Sequence, residues 1–303
     1  MAGLVHDTAF DPAYGTAVEI VPGVRRLTAR NPGPFTFHGT NTYLVGTRDL
    51  AVIDPGPEDA AHLAAVLAAA DGARISAILV SHTHKDHSPG AAALAAATGA
   101  PVLGCAPHAP ARALALGEIN ALDASSDLDF RADRELADGD TLTLAAGRFE
   151  ILATPGHTAN HLAFALPDAG LIFSADHVMA WSTSIVAPPD GSMQAYLASL
   201  DVLARRPEAT YLPGHGTLVR SAHAYVEALR AHRLAREAAV LQALDGRSLT
   251  IPELVDAVYR GLDPSLKGAA ALSVFAQLER LIELGSARSV AGSGLSGTYA
   301  QAR

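Results

Sequence analysis

The stretch AILVSHTHKDHSPG, residues 77–90, constrains this chain more than any other. His82, His84, Asp86 and His87 fall within six residues, directly after an apolar run. Ile75 to Val80 is short, β-branched and apolar on consecutive positions, which predicts a strand covered on both faces. The arrangement recurs. FEILATPGHT (149–158) reads as a strand feeding His157, GLIFSADHV (170–178) as one feeding Asp176, and ATYLPGHG (209–216) as one feeding His215. Four strand ends that each deliver a metal-type ligand are far more specific than any one of them, because a rigid layered sheet is what positions groups on such loops.

His and Asp are hard-to-borderline ligands that suit zinc, with manganese or iron as alternatives, and a set without thiolates leans away from a closed structural zinc site. Side chains two residues apart at a strand end project to one side, which pairs His82 with His84. Asp86 and His87 are offset and can face a second ion. His157 then completes the first site and His215 the second, and the two oxygens of Asp176 suit it to bridge. His161 and His177, four and one residues after presumed ligands, are expected to support the site or pack behind it rather than ligate. His38 is a candidate to line the pocket, and Trp181 and Ser184 are candidates to wall it.

Around these ligands the pattern is regular. NTYLVGTRDLAVIDPGP (41–57) predicts strands at 43–45 and 50–53, and an Ala-rich helix is expected over 59–70. After residue 220 the character changes. Ser221 to Leu244 reads as one long helix with Arg230, Arg233 and Arg236 as a basic stripe. Thr250 and Glu253 form a capping box opening a short helix, another helix carries Leu272, Phe275, Leu278 and Leu281 in phase, and a hairpin is expected around Gly292 to Gly294. Helix, helix, hairpin outlines a winged-helix-like domain, so the expected division is 1–220 and 221–303.

The motifs SHTHKDH, TPGHT, SADHV and LPGHG, in that order and with DPG upstream, resemble the metallo-β-lactamase superfamily over about residues 20–220. With NPGPFTFHGTNTYLVG and the winged-helix-like tail, the chain is most similar to the β-lactamase-like protein 2 branch, some members of which cleave single-stranded RNA. The resemblance implies an α/β fold, a four-layer αββα sandwich with the small C-terminal domain appended, and one or two metals at the edge of the two sheets. Position by position it implies His82, His84 and His157 for the first metal, Asp86, His87 and His215 for the second, Asp176 as bridge, and Asp54 steadying the histidine loop. Ala175 stands where glycine is commoner in the family.

Two zinc ions sharing a solvent molecule lower its pKa from about 15.7 toward about 7, so the expected activity is metal-dependent hydrolysis by hydroxide, with Asp86 orienting the nucleophile. An antibiotic-hydrolysing enzyme is not expected: the start MAGLVHDTAF lacks an export signal, and Asp176 stands where many such enzymes have Cys or Ser. Only residues 177–214 separate the bridging aspartate from the last histidine, too few for the inserted domain of long RNA-processing members. A glyoxalase-II-like thioesterase stays among the alternatives, although the tail after 220 does not resemble that group's helical glutathione-binding domain. The leading expectation is a small ester, thioester or lactone, and the alternative is single-stranded RNA. Residues 1–204 carry 10 Lys and Arg against 22 Asp and Glu, which favours a small molecule, whereas residues 205–303 carry 12 against 9, which favours RNA. A non-haem iron oxidoreductase on the same fold and a non-enzymatic nucleic-acid binder are the remaining classes. The single cysteine, Cys105, agrees with a reducing compartment and is expected to be buried, a cytoplasmic location is expected, no membrane partner is, and a homodimer through residues 221–303 is a further expectation.

Overall fold

The buried strand expected at 75–80 is central to the first of three sheets. The computed structural model describes residues 4–114, 118, 120 and 123–302, so the expected domain limits at 1 and 303 lie outside the described residues. Seven strands form the first sheet in chain order: β1 (Val18–Val21), β2 (Val24–Thr28), β3 (Asn41–Gly46), β4 (Asp49–Ile53), β5 (Arg74–Val80), β6 (Val102–Gly104) and β7 (Arg134–Glu135). Six form the second: β8 (Thr141–Leu144), β9 (Gly147–Ala153), β10 (Leu162–Leu166), β11 (Leu171–Ala175), β12 (Thr210–Pro213) and β13 (Val219–Arg220). The helices of this part are α1 (Ala60–Ala70), α2 (Gly90–Thr98) and α3 (Met193–Leu203). Asp59 caps α1, its carboxylate accepting from the amides of Ala61 and His62.

Period-two alternation explains the layering. Along β9 to β12, Phe149, Ile151, Phe164, Phe173 and Leu212 face the first sheet and join its core. Their neighbours Leu152, Ala163, Ala165, Ile172 and Tyr211 face the other way, onto Tyr196, Leu197 and Leu200 of α3. With α1 and α2 on the outer side of the first sheet, the result is a four-layer αββα sandwich.

The helix expected at 221–244 is α4 (Ala222–Ala243). Its first half, through Val226 and Leu229, packs in the second core. Its second half, through Val240, and Leu244 just past its end pack with α5 (Ile251–Val258) and α6 (Lys267–Glu283). The capping box of Thr250 and Glu253 opens α5. The expected hairpin is β15 (Ala287–Ala291) with β16 (Thr298–Gln301), to which β14 (Ser248–Thr250) adds a third strand. This is a winged-helix unit.

The basic stripe on α4 is not a free cationic face. Arg230 pairs with Asp201 at 2.5 Å, Arg233 is buried and donates to the carbonyl of Ser184, and Arg236 donates to the carbonyl of Val258 at 3.1 Å and lies over the ring of Tyr259. The three share one face of the helix as their spacing requires, but that face turns toward α3, the loop carrying Ser184 and the end of α5, which supply partners the spacing cannot reveal. Among the described residues no helix is long and apolar enough to cross a membrane. Cys105 is fully buried and burial pushes its thiol well above the usual range, which leaves it inert.

Candidate metal centre

The ends of β5, β9, β11 and β12 meet at one edge of the sandwich. Two sutures hold the sheets together there: the Leu162 amide donates to the carbonyl of Ser81 at 2.8 Å, and the Asn41 amide to that of Gly214 at 2.7 Å. The Asn41 side chain also donates to the carbonyls of Pro213 and Gly216, at 3.1 and 2.9 Å, fixing the turn that carries His215.

All seven expected residues come together in two groups. Ligand atoms of His82, His84, His157 and Asp176 lie within 4.8 Å of one another, and so do those of Asp86, His87 and His215. In the first group His84 Nδ1 is 3.1 Å from His82 Nε2 and 3.0 Å from His157 Nε2. In the second, Asp86 Oδ2 is 3.3 Å from both His87 Nε2 and His215 Nε2. Asp176 touches both groups: it lies 3.5 Å from His157, 3.4 Å from His87 and 3.3 Å from His215.

The rear partners set which ring nitrogen faces inward. His157 Nδ1 meets the carbonyl of Ile185 at 2.6 Å, and His215 Nδ1 that of Gly39 at 3.2 Å; a carbonyl only accepts, so these Nδ1 atoms carry a proton and the Nε2 atoms face the centre. His87 Nδ1 meets Asp54 Oδ2 at 3.0 Å, with the same consequence. Asp54 also takes part in a third close group, with His82 and His87. Its oxygens are already occupied, however, by the Ser81 amide at 2.8 Å, the Ser81 hydroxyl at 2.7 Å and His87. It therefore holds the loop from behind, in a left-handed conformation (φ 47°) that Asp tolerates better than most residues.

The donor set fits a pair of divalent cations. His87 Nε2 and Asp176 Oδ1 are buried with no hydrogen-bond partner among the described residues. Backbone also makes way for the carboxylate: a Cβ on Gly214 would lie 2.4 Å from Asp176 Oδ1 and 2.6 Å from His87 Cε1. Electrostatics divides the two groups. Burial, then the neighbouring His157, holds His84 down to about 3, and burial with His87 and His84 holds His82 well below the usual range, so both stay neutral and ready to ligate. Burial also lowers His87 and His215, but Asp86 and Asp176 outweigh it, raising His87 well above its ordinary value and His215 to about 9. Such proton affinity marks an excess of negative potential, the same potential that attracts a cation.

Other expected residues fall around this centre in different ways. His161 accepts from the Asp176 amide at 3.3 Å and meets Thr154 Oγ1 at 2.8 Å, so it supports the loop that carries Asp176. His177 packs on Tyr196, ring centroids 4.3 Å apart, away from both groups. Ser184 donates to the carbonyls of Asp176 and His177 and so clamps the loop rather than walling the pocket. Trp181 stacks on Phe37 at 4.8 Å and lines a larger neighbouring cavity. His38 lines neither space: it packs against Phe37 and Phe10, and the loop instead presents Phe35 and Thr36. The centre opens into a cavity of about 120 Å³ lined also by Met179, Ile185 and Ser125. Sequence reasoning missed Thr40, fully buried, whose hydroxyl donates to Asp86 Oδ2 at 2.9 Å, and Ser81; ordinary hydroxyl residues carry no motif.

Comparison with known proteins agrees with this geometry. The metallo-beta-lactamase superfamily model matches residues 35–215, and that of the beta-lactamase associated winged helix domain matches residues 250–294. The chain is 32% identical to an atrochrysone carboxyl ACP thioesterase of Aspergillus chevalieri, over 92% of this chain and 86% of that one. It is 30% identical to the Beta-lactamase-like protein 2 homolog of Drosophila melanogaster, over 89% and 93%. Among solved structures, a beta-lactamase domain protein from Burkholderia ambifaria superposes with a TM-score of 0.77 at 23% identity, covering 96% of this chain and 95% of that one. The chain belongs to the metallo-beta-lactamase superfamily and carries the winged-helix domain associated with it.

Proposed function

We propose that this chain is a dinuclear metal hydrolase acting on a small carboxylic thioester or ester, with zinc as the metal. The observation that carries the reading is the position of Asp176, within 3.5 Å of inward-facing histidine nitrogens of both groups, where one carboxylate would be in reach of a cation held by either. A thioesterase among the relatives supports the acyl class.

Cations at these positions would supply Lewis acidity, lowering the pKa of a coordinated water and polarising a carbonyl. The chain's own residues do the rest. Asp86, fixed by Thr40, presents a carboxylate to the small cavity, where it orients the attacking water and takes its proton. Phe35, Met179 and Ile185 cover the cavity and exclude bulk solvent. Addition of water to the carbonyl carbon and cleavage of the carbon–sulfur bond give a carboxylate and a thiol. A thiol with a pKa near about 8.5 departs without strong acid catalysis, which suits a site whose five clustered histidines, His82, His84, His87, His157 and His215, would be engaged by cations.

Single-stranded RNA is the weaker reading because Arg230, Arg233 and Arg236 are committed to protein partners. The test is elemental analysis coupled to turnover on acyl thioesters, p-nitrophenyl esters, bis-p-nitrophenyl phosphate and a fluorogenic single-stranded RNA. The expected result is two zinc ions per chain and acyl hydrolysis that Asp176→Ala abolishes with the fold retained. One iron per chain without hydrolysis, or unchanged turnover in a metal-verified Asp176→Ala protein, overturns the reading.

A further inference from the structure

Beside the small metal cavity lies a second space of about 590 Å³, within the ~300–1,000 Å³ range of small-molecule sites. It sits at the junction of the sandwich and the winged-helix unit. One wall is the loop around Phe35 and the segment 179–185; the other is the start of α5 at Ile251 and the start of α6 from Leu266 to Leu272. None of its lining residues is charged. Three side chains, Phe35, Met179 and Ile185, wall both this space and the metal cavity. Ile185 links them further, since its carbonyl orients His157.

Three of the large hydrophobic side chains the protein leaves exposed gather here: Phe35 at 50%, Leu266 at 48% and Leu295 at 39%. Exposed apolar groups clustered around one concavity, rather than scattered singly, mark a binding surface. On the α6 side, Gly268 has nothing within 4 Å of where a Cβ would stand, so the wall there borders open space.

From these features we infer that the interdomain cavity is the acyl-chain site: it takes the apolar acyl group of a medium-chain thioester or ester whose carbonyl sits at the metal centre. This deepens the hydrolase reading and rests on it for the orientation of the substrate. The shared wall decides the occupant. A chain attached to a carbonyl in the small cavity reaches the larger one past only three side chains, all apolar, whereas an anionic substituent would find no cationic group to receive it. The winged-helix unit thereby supplies half of the specificity pocket, through Ile251, Leu266 and Leu272.

The experiment uses the metal-loaded full chain and N-acetylcysteamine thioesters with acetyl, butyryl, hexanoyl and octanoyl groups. The expected result is kcat/KM rising about twofold to fourfold per methylene, carried mainly by KM, until the cavity is filled. Gly268→Trp, placed in open space, and Leu266→Glu, at the exposed mouth, each lower the octanoyl-to-acetyl ratio at least tenfold. Calorimetric binding of decanoate, measured separately, is expected for the wild type and lost in both variants. A flat chain-length profile in an active enzyme overturns the acyl site and leaves the hydrolase reading standing. Decanoate binding that depends on Gly268 and Leu266, with no ester or thioester hydrolysed, does the reverse. A dimer by light scattering that Leu266→Glu dissociates without changing chain-length selectivity also overturns the acyl site, because a second copy is then what covers this face.

Discussion

Arg233, on α4, donates its guanidinium N–H to the carbonyl of Ser184, and that link ties the winged-helix side of the molecule to the loop after Asp176. Ser184 in turn donates to the carbonyls of Asp176 and His177. The guanidinium also lies over the ring of Tyr196, 5.1 Å from its centroid, and only 4% of the residue is exposed. Loss of this charge leaves a buried carbonyl unsatisfied, at a cost of about 1–3 kcal/mol. Arg233→Met should therefore lower the melting temperature and release metal at lower chelator concentrations than the wild type. Lysine should not restore either property, since one ammonium cannot both stack on Tyr196 and reach Ser184. An unchanged chelator titration would show that the loop is held without α4.

Asp54 acts at the opposite side of the centre. Asparagine keeps the shape and tolerates φ 47°, but its amide presents N–H toward His87 Nδ1, which carries its own proton when Nε2 faces inward. The imidazole is then driven to the wrong tautomer. Asp54→Asn is expected to weaken metal binding about 10- to 100-fold with little loss of fold, as read by competition with a chromogenic chelator. Equal affinities would mean that Ser81 alone fixes the loop.

How far the sequence reached follows from what periodicity and motif can carry. Four strand ends with a ligand apiece were legible because a buried strand leaves a continuous apolar run and the ligands follow it within a few residues, as with Val80 and His82. The helix at 222–243 was legible for its length, yet the orientation of Arg230, Arg233 and Arg236 was not, because their partners Asp201, Ser184 and Val258 lie 22 to 49 residues away in sequence. Thr40 and Ser81 are silent for the same reason: a hydroxyl gains its role only from the carboxylate the fold sets beside it. His38 misled because a histidine in a loop near a site looks the same whether it faces the cavity or, as here, Phe10 and Phe37.

Ala175, immediately before Asp176, adopts φ 42°, a left-handed conformation in which a Cβ crowds its own carbonyl. The resemblance makes glycine the commoner residue there. Ala175→Gly should relieve the strain and raise stability by about 1 kcal/mol, partly offset by the greater freedom glycine gives the unfolded chain. Thermal denaturation of the metal-loaded protein measures it. A drop in melting temperature would indicate that the buried methyl packs well enough to outweigh the backbone strain.

His232, half-buried on α4, offers a pH test away from the metal centre. Burial, then Arg233, Arg236 and His6, lowers it from 6.5 to about 4. The folded chain thus keeps the ring neutral where the unfolded chain protonates it. Below pH 6.5 the unfolded state binds the extra proton, and stability falls with pH until the folded ring also protonates near about 4. Water reaches the half-exposed ring, so the loss is expected to be no more than about 1 kcal/mol. His232→Gln removes this one contribution. Denaturation free energies of variant and wild type, measured in parallel from neutral pH downward, should run together above pH 6.5 and separate below it in favour of the variant. Parallel curves throughout would mean that the ring is protonated alike in both states and that Arg233 and Arg236 do not reach it.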